Sequence, residues 1–137
     1  MAEAVVQNYD FSDIGMLVDA GGGEGVLLTA ILAANTALRG ILFDQLHVVA
    51  AAGDLLERAG GANRCEIRKV TGEGFFDAVP GGADAYLLKS IVHDWHDAAV
   101  FEILHTCRAV MVDNAKLLLV EFVVEPGNEP DPLSSWI

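Results

Sequence analysis

The 137-residue sequence is short of cysteine, of basic side chains and of long apolar runs, and each shortage closes off a class of protein. Its two cysteines, Cys65 and Cys107, are too few and too far apart for a disulfide framework or a zinc site, so both read as reduced core thiols. Eight Lys and Arg stand against 20 Asp and Glu, a formal charge of −12 that repels phosphate backbones. Nucleic acid is not an expected partner, and the acidic surface serves solubility. Although 53% of the residues are hydrophobic, no uninterrupted apolar run reaches the length of a membrane span. The start Met1-Ala2-Glu3-Ala4 lacks the basic and apolar regions of a signal peptide, which makes a cytoplasmic location the expectation. There is no internal repeat or low-complexity segment. The length suits one domain with one core, and it is small for an enzyme, so a helper domain would come from elsewhere.

What the chain does have is glycine in one telling place. Leu17-Val18-Asp19-Ala20-Gly21-Gly22-Gly23-Glu24-Gly25 is an apolar run that breaks into glycines before Val26-Leu27-Leu28 resumes it. Glycine tolerates positive φ and lets a ligand lie against bare main chain, and a helix opening just after it offers unpaired N–H groups. The spacing is Asp-x-Gly-x-Gly-x-Gly. The dinucleotide fingerprint started from Gly21 would need glycine where Val26 stands, and no Lys-Ser/Thr pair follows to make a P-loop. Asp19 would repel a pyrophosphate but suits a cationic or zwitterionic ligand. The loop therefore points away from NAD and toward S-adenosylmethionine, a glycine turn without a ligand being the plainer alternative.

The elements alternate. Strands are expected at Met16 to Ala20, Gly40 to Asp44, Cys65 to Val70, Ala83 to Leu88 and Lys116 to Val124, the third being polar enough for a sheet edge. Helices are expected at Glu24 to Ala34, packing through Val26, Leu27, Leu28, Ile31 and Leu32, and at His47 to Ala59, ended by Gly60-Gly61. A third runs from Ala98 to about Val112, capped by Asp97, with Val100, Ile103, Leu104, Cys107, Val110 and Met111 inward. Glu125 to Ile137 is a proline-bearing tail after a core spanning 1–124. Such strand-helix-strand units specify an α/β fold: a Rossmann-like parallel sheet with helices on both faces. The ligand site of such a sheet lies at the carboxyl ends of its strands, where the strand order reverses.

The candidate functional residues collect at that end. Asp44, at the tip of the second strand and about 20 residues past Gly25, has the position of a carboxylate that accepts two ribose hydroxyls. It also suits the N-cap of the helix near His47, and the two roles are compatible. In Leu87-Leu88-Lys89-Ser90-Ile91-Val92-His93-Asp94-Trp95-His96-Asp97, His93 is the general-base candidate, since imidazole takes a hydroxyl proton near neutral pH. A structural histidine is the plainer reading. No metal is expected, because this Asp/His cluster has no second cluster to complete a site.

The phrases Val18-Asp19-Ala20-Gly21-Gly22-Gly23-Glu24-Gly25, Leu42-Phe43-Asp44-Gln45-Leu46-His47-Val48-Val49, Leu87-Leu88-Lys89 and Val92-His93-Asp94-Trp95 together resemble the caffeate-type, or plant-like, S-adenosylmethionine-dependent O-methyltransferases and their bacterial relatives. The resemblance runs from about Tyr9 to Pro132. It implies a class I methyltransferase core with strand order 3-2-1-4-5, with Gly21 at the methionine part of the cofactor, Gly23 in the same cofactor-binding loop, Asp44 at the ribose and Lys89 on the adenine side. It further implies that His93 deprotonates the acceptor hydroxyl and that Glu121, at the end of the fifth strand, flanks that histidine.

Two departures stand out. The family's adenine-holding Asp aligns with Gly74, next to Phe75-Phe76, so Glu73, Gly74 and Phe75 form the altered adenine corner. The Asp-Leu-Pro of the family is Asp44-Gln45-Leu46, without the proline that fixes φ at the start of the helix. Family members also carry an N-terminal helical dimerisation domain and two further strands. The resemblance thus implies that this chain is the cofactor half, truncated at both ends, of a homodimeric enzyme acting on a small aromatic, phenolic or polyketide-type hydroxyl. It would leave Leu117-Leu118-Leu119-Val120 as an apolar edge prone to pairing with another copy. Two other functions remain open on the sequence: a non-catalytic module binding S-adenosylmethionine or S-adenosylhomocysteine, and an NAD-binding oxidoreductase domain.

Overall fold

The computed structural model describes residues 2–21, 23–45, 49, 51–69, 79–89 and 97–121. Its elements in chain order are α1 (Ala2–Asn8), β1 (Met16–Ala20), α2 (Val26–Ala34), β2 (Arg39–Asp44), α3 (Ala52–Arg58), a 3-10 helix (Ala62–Arg64), β3 (Cys65–Lys69), β4 (Ala85–Lys89), α4 (Asp97–Val110) and β5 (Lys116–Val120). All strand pairs are parallel, in the order β3-β2-β1-β4-β5. This is the expected topology, and its reversal of direction falls between β1 and β4.

A central parallel strand is covered on both faces and so is apolar along its length. Leu17, Val18 and Ala20 of β1 are buried accordingly. Leu17 joins one core with Leu28, Ile31 and Leu32 of α2, Leu42 of β2 and Leu56 of α3. Val18 and Ala20 join the opposite core with Ile41, Phe43, Tyr86 and Leu88 and with Ile103 and Cys107 of α4. Side chains alternate across a strand, so one register places helices on both sides.

Several details differ from the expectation. Helix α2 starts at Val26 because Gly25 takes φ +85°, a left-handed conformation no helix continues through. Val26 is 56% exposed and leaves the packing face. At about 100° per residue it lies roughly half a turn from Leu28 and Ile31. α1 was not legible as an element: it is short and buries only Val5 fully. Helix α3 is described only from Ala52, and Leu55 is half-buried and Ala59 exposed. Asp97 is the first residue of α4 rather than its cap, the helix ends at Val110, and its fully buried stripe is Ala99, Ile103 and Cys107, the other expected positions being half-buried. Strand β4 begins two residues late and includes Lys89, and β5 ends at Val120, so Glu121 lies just beyond it. Cys107 is buried, but Cys65, on the edge strand β3, is only half-buried. The tail over 125–137 lies outside the described residues, as does 122–124.

Candidate cofactor site at the carboxyl ends of the strands

The loop after β1 is built from left-handed glycines. Gly21, Gly23 and Gly25 have φ of 76°, 65° and 85°. A side chain is disfavoured at such angles, and at Gly25 an added Cβ would also sit 3.3 Å from Leu42 Cδ2. The loop is tied to the neighbouring strand at two points. The Gly21 N–H donates to the Phe43 carbonyl at 2.7 Å, which prolongs the sheet ladder by one step past Ala20. The Gly23 N–H donates to Asp44 Oδ2 at 2.9 Å, while Asp44 Oδ1 accepts from the Gln45 N–H at 2.7 Å.

Asp44 thus holds the glycine loop. An ionised carboxylate has about four lone-pair positions, so these two bonds leave acceptor capacity for a ligand. The sequence placed Asp44 at the ligand but did not signal this bracing bond. Lys89, half-buried at the last position of β4, and Glu121, buried one residue after β5, occupy the same end of the sheet.

Asp19 is the unusual member. It is the penultimate residue of β1, opposite Leu42 of β2 and Leu87 of β4, and it is 1% exposed. Neither of its oxygens has a hydrogen-bond partner among the described residues. Burial pushes its carboxyl up to about 7 against the pull of Lys89, with the negative charge of Asp44 adding to the rise. The carboxyl that the sequence assigns to a cationic ligand lies inside, 1% exposed. Thr29, in the first turn and a half of α2, adds a second buried polar atom without a partner among the described residues, its Oγ1. Thr29 stood out in no motif; its only signal is a lone polar residue in the apolar Val26–Ala34 helix.

His93, Glu73, Gly74 and Phe75 lie outside the described residues, so the base and the adenine corner keep the standing of sequence expectations. The described part brings together Asp19, Gly21, Gly23, Asp44, Lys89 and Glu121 at one end of the sheet, next to the reversal between β1 and β4. Its buried carboxyl, without a partner among the described residues, and a loop in which Gly21, Gly23 and Gly25 carry no side chain fit a ligand that carries a cation and lies against main chain, which is the chemistry of an S-adenosyl amino acid.

Comparison with known proteins bears on the same point. Residues 1–135 match the O-methyltransferase domain family. This chain belongs to that family. The O-methyltransferase domain is 47% identical over 130 residues to phenazine O-methyltransferase PhzM of Lysobacter antibioticus, covering 95% of this chain and 37% of that protein. Among solved structures it superimposes on mitomycin 7-O-methyltransferase MmcR with a TM-score of 0.86 at 38% identity, covering 96% of this chain and 38% of that one. It also superimposes on NcsB1, an O-methyltransferase from neocarzinostatin biosynthesis solved with S-adenosylmethionine and 2-hydroxy-5-methyl naphthoic acid. There the TM-score is 0.81 at 32% identity, covering 88% of this chain and 36% of that one. The chain therefore spans a little over a third of the length of these relatives. No helix among the described residues is long and apolar enough to cross a membrane.

Proposed function

We propose that this O-methyltransferase domain binds S-adenosylmethionine and forms the cofactor half of an enzyme that methylates a hydroxyl of a small aromatic, phenolic or polyketide-type acceptor. The observation that carries the reading is the bond between the Gly23 N–H and Asp44 Oδ2, which fixes a left-handed glycine loop and a strand-end carboxylate as one unit beside the reversal of the sheet. In this reading Gly21 and Gly23 face the methionine part, Asp44 accepts from the ribose hydroxyls, and Lys89 flanks the adenine side. Asp19 pairs with the ammonium, and Glu73, Gly74 and Phe75 line the adenine corner. The core spans 1–124.

When bound, S-adenosylmethionine supplies an electrophilic methyl group. His93 would take the proton of the acceptor hydroxyl as that oxygen receives the methyl group, and Glu121 would orient the imidazole. Most of the acceleration would come from holding the two reactants in register, with base assistance added. The enzyme is cytoplasmic and homodimeric in this reading, with neither nucleic acid nor a membrane as partner.

Calorimetric titration with S-adenosylhomocysteine tests the cofactor reading. Binding on the order of micromolar is expected. Asp44→Ala should weaken it about ten- to a hundredfold, because hydrogen bonds to an ionised group contribute about 1.5–3 kcal/mol. Absence of binding, or binding of NADH in its place, would overturn it.

A further inference from the structure

Resting on the cofactor reading above, we propose that Asp19 is a proton-linked ligand group: its carboxyl is neutral in the cofactor-free protein and ionises when the ligand's ammonium is seated against it, so that binding releases a proton.

The geometry requires a choice of charge state. Asp19 stands at the centre of the sheet with Leu42 on one side and Leu87 on the other, both fully buried, and it shares its face of β1 with Leu17. Nothing among the described residues donates a hydrogen bond to either oxygen. A carboxylate buried this way with no donor among the described residues is poorly stabilised, and such groups keep their proton instead. The charged and titratable groups facing it do not reverse this. Lys89 on β4 favours the anion, Asp44 on β2 opposes it, and the anion of the Cys65 thiol on β3 would repel it in turn. Helix α2 over Val26–Ala34 contributes no ionisable side chain, only the Thr29 hydroxyl. Burial is the largest influence and leaves the carboxyl at about 7 in the absence of a ligand.

An S-adenosyl amino acid changes one thing, by bringing a fixed cation to a group that has none in contact among the described residues. An opposite charge at close range favours the ionised form. The carboxyl O–H bond breaks, its proton passes to the buffer, and the carboxylate pairs with the ammonium. Adenosine compounds that lack the amino-acid part present no cation and should leave Asp19 protonated. The carboxyl thereby selects for the ammonium and makes affinity depend on pH: below the free-state midpoint, each unit of acidification should weaken binding up to about tenfold.

The test is calorimetric titration in two buffers of different ionisation enthalpy, phosphate and Tris. S-adenosylhomocysteine serves as ligand, so that no methyl transfer intervenes, and methylthioadenosine as the ligand without an ammonium. The wild-type chain should release about half a proton per S-adenosylhomocysteine at about pH 7, and close to a full proton about one unit lower. Release should vanish with methylthioadenosine and with Asp19→Asn. A second arm needs no variant: carbon-13 spectra of aspartate-labelled wild-type protein without ligand should show one carboxyl titrating near 7. Binding of S-adenosylhomocysteine with buffer-independent heat, or equal release with both ligands, would overturn the linkage while leaving the cofactor reading intact. Absence of S-adenosylhomocysteine binding would overturn the cofactor reading and the linkage with it. All aspartates titrating below about pH 5 would overturn the free-state charge assignment by itself.

Discussion

Replacing Asp19 by Asn should change how the stability of the ligand-free chain depends on pH, in a direction fixed by its surroundings. The carboxyl is fully buried between Leu42 and Leu87 and is pushed up to about 7 in the folded protein, against 3.8 for an unperturbed aspartate such as the unfolded chain presents. Because the folded pKa is raised, the native state binds more protons than the unfolded state between those two values. Stability from this group is therefore greatest at low pH and is lost as pH rises toward 7. At about 1.4 kcal/mol per unit, the full displacement corresponds to about 4 kcal/mol, of which about 3 kcal/mol falls between about pH 5 and pH 8. Other carboxylates titrate in the same interval, so the useful quantity is the difference between wild type and Asp19→Asn. Asparagine keeps the shape and removes the charge. Urea unfolding across the interval should show the wild type losing about 3 kcal/mol relative to the variant as pH rises. A flat difference would mean that Asp19 is ionised or hydrated throughout, and that its burial has been misread.

Gly25→Ala should cost about 1–3 kcal/mol in urea unfolding, because a non-glycine residue at φ +85° is strained and its Cβ would meet Leu42 Cδ2 at 3.3 Å; an unchanged midpoint would show that the loop relaxes freely. Arg64→Ala should destabilise by about 2–4 kcal/mol, since the guanidinium donates to the carbonyls of Leu32, Asn35 and Leu38 at 2.8 to 3.1 Å and closes the end of α2. Arg64→Lys should restore less than half of that, having the charge but not the fork of donors. Tyr86→Phe removes a hydroxyl that donates to the Pro80 carbonyl at 2.7 Å inside the core, and thermal unfolding should register a loss of about 1–2 kcal/mol.

Topology was legible because it follows from alternation. Apolar runs such as Gly40-Ile41-Leu42-Phe43, bounded by breakers and separated by amphipathic helices, leave a parallel sheet as the arrangement that buries both faces. The glycine loop was legible for a related reason, since left-handed backbone leaves a compositional mark. What a one-dimensional pattern carried poorly was which neighbours a polar residue meets. Asp19 reads as a charge at a strand end, yet its burial comes from Leu42 and Leu87, which are 23 and 68 positions away and meet it only through the register of the sheet. One sequence signal did exist: an acid inside the central strand of a doubly covered sheet has no solvent face to turn to. Helix α1 was missed because seven residues with one fully buried side chain leave no period to detect, and Val26 was misplaced because an apolar residue was counted inward although, at about 100° per residue, it falls about half a turn from Leu28 and Ile31.

The polar groups of the fold divide by the end of the sheet they occupy. At the amino ends of the strands the described ones are satisfied within the chain. Asp84 Oδ2 accepts from the Gly15 and Met16 N–H groups at 3.0 and 2.9 Å, locking the starts of β1 and β4 together, and Arg64 closes the helix that leads into β2. At the carboxyl ends the described groups are only partly used: Asp44 has acceptor capacity beyond the loop it braces, and the Asp19 carboxyl and Thr29 hydroxyl have no partner among the described residues. A buried polar group without a partner lowers stability, a cost that the proposed ligand contacts at this end of the sheet would offset. The same burial that raises the cost of a lone charge on Asp19 strengthens its attraction for an arriving cation. Under the proposed pairing, instability of the empty site and selectivity of the filled one would be two consequences of placing one carboxyl between two leucines.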